Sequence, residues 1–203
     1  MLNAIKAGGL LMLPIIFCGV LATFIIIERC YYFYMIKKRD KSLALALNDK
    51  LLNNDYAGAE AACAEAGTPA ARVIRKALEC RRMTENDLRE IVGVKMDSVV
   101  PMFEHFITPL GTIANVATLL GLLGTVTGNI RAFNVLGGGT SMGNPAALAS
   151  AIAEALVTTV AGLSVSIPAV IFHNYFVSRV NRRITEMQSL VTTVLVRLSG
   201  RVL

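Results

Sequence analysis

One carboxylate stands alone in a long apolar stretch: between Glu104 and Glu186 the only Asp or Glu is Glu154. A charged side chain at the centre of a bilayer costs about 2.5–3.5 kcal/mol on insertion scales, so an acid kept there is by default a functional group. Four hydroxyls accompany it at near-helical spacing: Thr118, Thr125, Thr158 and Thr159. A threonine does not titrate near neutral pH, so its chemistry is to order water or to hydrogen-bond a proton carrier. Glu154 can itself exchange a proton. It can also pair with Arg131, which lies at a comparable depth on the facing run. Arg131 could equally extend its guanidinium outward to lipid headgroups. For each threonine the plain alternative is packing, because membrane threonines commonly bond back to their own helix.

Two apolar helices must position these groups. On the first, Gly111, Asn115, Thr118, Leu122, Thr125 and Asn129 follow at alternating steps of four and three, which puts them on one face. A second row, Gly121, Gly124 and Gly128, lets a neighbouring helix approach closely. On the other helix, Ser150, Glu154, Thr158 and Ala161 form one stripe, and Thr159, Gly162 and Ser166 an adjacent one. Facing polar stripes predict a shared polar cavity, closed by further copies or by another chain.

Composition sets the class. Hydrophobic residues make up 54% of the 203, mean hydropathy is +0.57 and only 17% are charged, against roughly 25% in soluble proteins. An integral membrane protein follows. The net charge of +6 is segregated: of 20 Lys and Arg, 12 lie from Lys37 to Lys95 and five from Arg179 to Arg201. That is the positive-inside pattern. No basic patch with interleaved aromatics speaks for nucleic acid. The four cysteines form no C-x-x-C pair and read as reduced, packed thiols. His105 and His173 look isolated, no nucleophile constellation is present, and neither an enzyme nor a cofactor nor a metal is expected.

Along the chain, the spacing predicts an all-α protein with three transmembrane helices, the second and third extended into a helical cytoplasmic domain. Residues 1–36 hold an outside N-terminus and the first span, with Pro14 kinking it or marking its start. A cleaved signal peptide is the rival reading, disfavoured because the positive charge follows the run. Glu28, Arg29 and the aromatics Tyr31, Tyr32, Phe33 and Tyr34 belong at the inner surface. Residues 37–109 form the cytoplasmic domain, with a short Ala/Leu-rich helix over 42–52. Asn54 or Asp55 caps the next helix and Gly67 ends it. Thr68-Pro69 opens another, and Thr84 to Asp87 resembles a capping box. Pro101 and Pro109 predict a bend at the membrane. The second span is 110–136, an outside turn 137–144, the third span 145–177 behind an Asn144-Pro145 start, and a cytoplasmic helical tail 178–203.

The segment TLLGLLGTVTGNIRAF, followed after a short loop by AIAEALVTTVAGLSVSIPAV, resembles the paired signature of the MotA/TolQ/ExbB proton-channel family. The likeness is strongest to its three-span ExbB/TolQ branch and covers about residues 114–174, with a weaker likeness at IIIERCYYF. The MotA branch is disfavoured, since it needs a fourth span and a larger cytoplasmic domain. The resemblance implies a bacterial inner-membrane subunit that forms a ring, typically a pentamer, around spans of an ExbD- or TolR-type partner. Proton flow would drive motion coupled to a TonB- or TolA-type protein. It further implies that the proton-carrying Asp sits on the partner, with Thr125, Thr159 and Glu154 matching the ring's polar positions. Thr127, Asn129 and Arg131 depart from the family pattern, and a cation at 131 either repels protons at the outer mouth or pairs with Glu154. The alternative is a helical membrane scaffold with no ion path of its own.

Overall fold

The computed structural model describes residues 9–137 and 145–198. All regular structure among them is helical: α1 Met12–Leu52, α2 Tyr56–Ala66, α3 Pro69–Glu79, α4 Glu85–Glu104, α5 Ile107–Gly137 and α6 Pro145–Leu198. Three stretches are long and apolar enough to cross a membrane: α1, α4 together with α5, and α6. A bilayer core needs only about 20 helical residues, so the 41 of α1 and the 54 of α6 reach well beyond it. The extension of α1 was not expected. Residues 42–52 are its last turns and not a separate short helix, because nothing from Glu28 to Leu52 is a Gly or Pro that would end it. Pro14 sits in the first turn of α1, where its missing N–H has no helical partner to lose, and so marks a start. The expected turn from residue 138 and the Asn144 cap lie outside the described residues; Pro145 opens α6.

The described residues divide into two compact units, one of residues up to Glu28 with Phe106–Tyr175, the other of Arg29–His105 with Phe176 onward. In the second unit the helix ends follow local chemistry. The carboxylate of Asp55 accepts the Gly58 N–H at 2.9 Å, and Gly67 closes α2 in the left-handed conformation at φ 62°. Thr68 Oγ1 accepts the Ala71 N–H at 3.2 Å ahead of Pro69. Thr84 Oγ1 accepts the Asp87 N–H, and its hydroxyl donates to Asp87 Oδ2 at 2.6 Å. The core gathers Leu43 and Leu47 of α1, Val73, Ile74, Ala77 and Leu78 of α3, and Leu88, Val92, Val99 and Phe103 of α4.

Two expectations change here. The bend at Pro101 and Pro109 is a break: α4 stops at Glu104, Phe106 takes φ 64°, and α5 begins at Ile107. Pro109 then falls in a first turn, where it costs no hydrogen bond. His105 is also not isolated. Arg29, 2% exposed, lies 4.5 Å over the Tyr32 ring and places Nη2 3.4 Å from His105 Nδ1, while the Tyr32 hydroxyl donates to Met102 O at 3.2 Å. Of the four aromatics at this level, Tyr31 and Tyr34 are exposed and Phe33 stacks on Phe176 at 5.9 Å.

Cys63 is buried within the second unit, and burial, helped by the Glu60 charge, pushes its thiol up to about 11. The thiolate is the nucleophile, so iodoacetamide at pH 8 is expected to leave Cys63 unlabelled in the native protein and to label it after denaturation. Peptide mass mapping reads the difference; rapid native labelling would contradict this packing.

In the first unit α5 and α6 meet at backbone distance. A Cβ at Gly124 would stand 2.5 Å from Thr158 Cγ2, one at Gly121 3.3 Å from Thr159 Cα, and one at Gly162 2.6 Å from Ala117 O. The glycine row is thus what admits α6. Phe17, Phe24, Leu119, Phe133, Leu156 and Val160 face outward, the side chains a bilayer or a neighbouring chain covers.

Candidate functional site: the α5–α6 seam

The polar residues singled out from the spacing distribute along two flanks of this seam. On one flank, Thr159 Oγ1 reaches across to Gly121 O at 2.8 Å and lies 3.2 Å from Ala155 O on its own helix. One turn and more away, Thr118 Oγ1 lies 2.6 Å from Ser166 Oγ and 3.1 Å from Ala114 O. Thr125 is half-buried, and its hydroxyl donates to Leu122 O at 2.7 Å. Asn115 and Asn129, on the same face of α5, are exposed. Thr118, Thr125 and Thr159 each bond to a backbone carbonyl of their own helix, as packed membrane threonines commonly do, and Thr118 and Thr159 also tie the two helices together, which the spacing did not announce.

The other flank carries the charges. Glu154, nine residues and about 13 Å from Pro145, brings Oε1 to 2.7 Å from Arg131 Nη1. The pair alternative is the arrangement found. The side chain of Glu154 is 28% exposed and that of Arg131 59%. Thr158 is buried between the helices with its hydroxyl on Glu154 O at 2.8 Å, and Thr127 bonds back to Leu123 O and Gly124 O. With 100° per residue, Thr159 stands about 140° round α6 from Glu154, and Thr125 about 120° round α5 from Arg131. The structure does not bring Glu154 together with Thr125 and Thr159.

Other neighbours were not visible in the spacing. Gly9, just ahead of α1, has φ 65°, and the place its Cβ would take is filled by Glu154 Oε1. Leu10 and Leu11 join Gly124, Thr127, Gly128, Arg131, Glu154 and Thr158 around a cavity of about 240 Å³. No local signal in GGLL announces such a contact. His173, expected to stand alone, has Nδ1 3.0 Å from Ile107 O, and Gly111 is the small residue its ring packs against.

A family model described as the MotA/TolQ/ExbB proton channel family matches residues 65–189, more than half of the chain. The chain belongs to this family. It is similar to biopolymer transport protein ExbB-like 3 of Synechocystis, at 35% identity across 90% of this chain and 87% of that protein. It is similar to the biopolymer transport protein ExbB of Neisseria gonorrhoeae at 29% over 80% of this chain and 78% of the relative. A shorter match, 37% over 44% of this chain and 39% of the relative, reaches the Tol-Pal system protein TolQ of Haemophilus influenzae. These relatives place the chain in the ExbB/TolQ branch. The family is one of channels, not enzymes, and with three apolar stretches this member is a multi-pass membrane protein. Thr125, Glu154 and Thr159 all fall inside the matched region, as do both flanks of the α5–α6 seam.

Proposed function

We propose that the chain is the ring-forming subunit of an inner-membrane proton channel, energised by the proton motive force. Several copies, five in the arrangement the resemblance implies, surround the single span of an ExbD- or TolR-type partner. Proton flow drives mechanical work on a TonB- or TolA-type protein. Residues 1–36 hold an outside N-terminus and the first crossing, 110–136 and 145–177 the second and third, with 137–144 outside. Residues 37–109 and 178–203 lie in the cytoplasm, as the concentration of Lys and Arg there supports.

The observation that carries this reading is the face of α5. Asn115, Thr118, Thr125 and Asn129 occupy one side of an apolar span, and both asparagines are exposed on it. An amide against lipid is costly, so this face belongs to a polar space shared with other chains. Thr125 and Thr159 line that space, with Thr118 below them and Thr158 behind the seam. The transferring group is a carboxylate of the partner, which the hydroxyls and their ordered water solvate as it gains and loses its proton. A potential of 100 mV supplies about 2.3 kcal/mol per charge, so a mechanical stroke needs several protons.

A second reading has one observation in its favour: the Thr125 hydroxyl is engaged by its own helix at Leu122 O. On that reading the chain is a helical membrane scaffold, and its threonines only pack. Purification from native membranes separates the two. A stoichiometric single-span protein with an Asp inside its span is expected to accompany the chain. A homo-oligomer lacking such a companion, and silent in proton-flux assays, would leave the scaffold.

A further inference from the structure

The Arg131–Glu154 pair sits where three segments converge. Gly128 and Gly124, three and seven residues before Arg131, let α6 press against α5; a Cβ at Gly128 would lie 3.1 Å from Ala151 O. That close approach brings guanidinium and carboxylate to 2.7 Å. The third segment is Gly9–Leu11. The carboxylate occupies the space beside Gly9 that any side chain there would need, and Gly9 O accepts the Met12 N–H at 3.2 Å to start α1. Leu10 and Leu11 form a wall of the cavity whose other walls include both charged residues. Ten residues on, α1 is still against α6, with Val165 Cγ2 3.1 Å from the Cβ position of Gly19.

We propose that Arg131 and Glu154 form an electrostatic clasp that seats the N-terminal end of α1 on the α5–α6 pair, and that Glu154 is a positioning residue and not a proton carrier. Three observations support it. The carboxylate has a bonded cation, it lies about 140° round α6 from Thr159, and it fills the space beside Gly9, just ahead of α1. Each charge makes the other tolerable in an apolar span, and either alone is an uncompensated charge. Neutralising one is therefore worse than neutralising both. The clasp stands on the geometry alone; only its claim about proton carriage rests on the channel reading.

The test uses Glu154→Gln, Arg131→Gln and the double variant in the full chain, with the four native cysteines replaced by Ala and a reporter at Leu11→Cys. Labelling of the reporter by maleimide reads the seating of α1. Each single variant is expected to raise the labelling rate at least fivefold, and the double variant to return it to within twofold of the parent. Labelling unmoved by both single variants overturns the clasp. Proton flux through the complex with its partner, in liposomes, reads the second claim. Single variants are expected to lose about tenfold and the double to recover to within threefold. A double variant as inactive as Glu154→Gln, with labelling restored, identifies Glu154 as a carrier and overturns that claim. If the parent complex conducts no protons, the channel reading fails, while labelling still decides the clasp.

Discussion

Gly162→Ala is expected to cost the α5–α6 pair its packing, and Gly162→Val to prevent a stable fold. The added Cβ would meet Ala117 O at 2.6 Å, Gly121 Cα at 2.9 Å and Gly121 N at 3.1 Å, all of them backbone atoms of α5. No rotamer change relieves a clash with backbone, so the helices must separate. Overpacking of this kind costs about 1–3 kcal/mol for one carbon. Separation also lengthens the Thr159–Gly121 O bond of 2.8 Å and the Thr118–Ser166 contact of 2.6 Å. Thermal melting of the detergent-solubilised protein is the measurement. Gly93→Ala is the control, because nothing lies within 4 Å of its Cβ position inside α4. Relieving a helical glycine there is expected to gain about 0.5–1 kcal/mol. Equal melting of Gly162→Ala and the parent would mean that the two helices are not in backbone contact.

Thr159→Val and Thr125→Val are expected to lower coupled transport about tenfold or more, each without loss of assembly. The two differ in what else they remove. Thr159→Val deletes the bond to Gly121 O and leaves that carbonyl without its cross-helix donor, a loss of about 0.5–1.5 kcal/mol that a long helix pair tolerates. Thr125→Val removes only a bond to its own helix, at Leu122 O. A transport defect in Thr125→Val with unchanged melting therefore cannot come from packing. Thr159→Ser and Thr125→Ser keep the hydroxyl and are expected to retain most activity. Wild-type transport in both valine variants would remove the polar lining from the account.

What was legible in the sequence was what local chemistry decides. Asp55, Gly67, Thr68-Pro69 and Thr84 end and start helices through bonds to residues three or four positions away, so their types alone announce them. The glycine row of α5 was legible for a different reason: three glycines at helical spacing form a small-residue face on which another helix can approach closely, although which helix it would be is not written in their types. The Arg131–Glu154 pair could be anticipated as one of two alternatives, since no other opposite charge lies near in the apolar stretch.

The remainder depends on distant segments. Pro101 and Pro109 pointed at a bend, yet the chain breaks at Phe106, a left-handed residue without a glycine to mark it. The cluster of buried Arg29 with Tyr32 and the exposed His105 at the end of α4 joins residues some seventy positions apart, as its Arg29–His105 contact shows. The place of Glu154 was misleading for a similar reason. Its stripe on α6 meets Gly9, just ahead of α1, at Glu154 and Gly124 of α5 at Thr158, whereas the resemblance grouped the acid with Thr125 and Thr159, which lie round the other side. Thr159's partner, a backbone carbonyl at Gly121, leaves no trace in residue type at all.

The most direct measurement of the central claim is proton flux into liposomes holding the chain with its co-purified single-span partner, under an imposed potential, for the wild type and for Thr125→Val. A steady flux is expected in the wild type that needs both proteins and falls at least tenfold in the variant, with the complex intact by size-exclusion chromatography. Equal flux in the two, or none in either despite an intact complex, would contradict it.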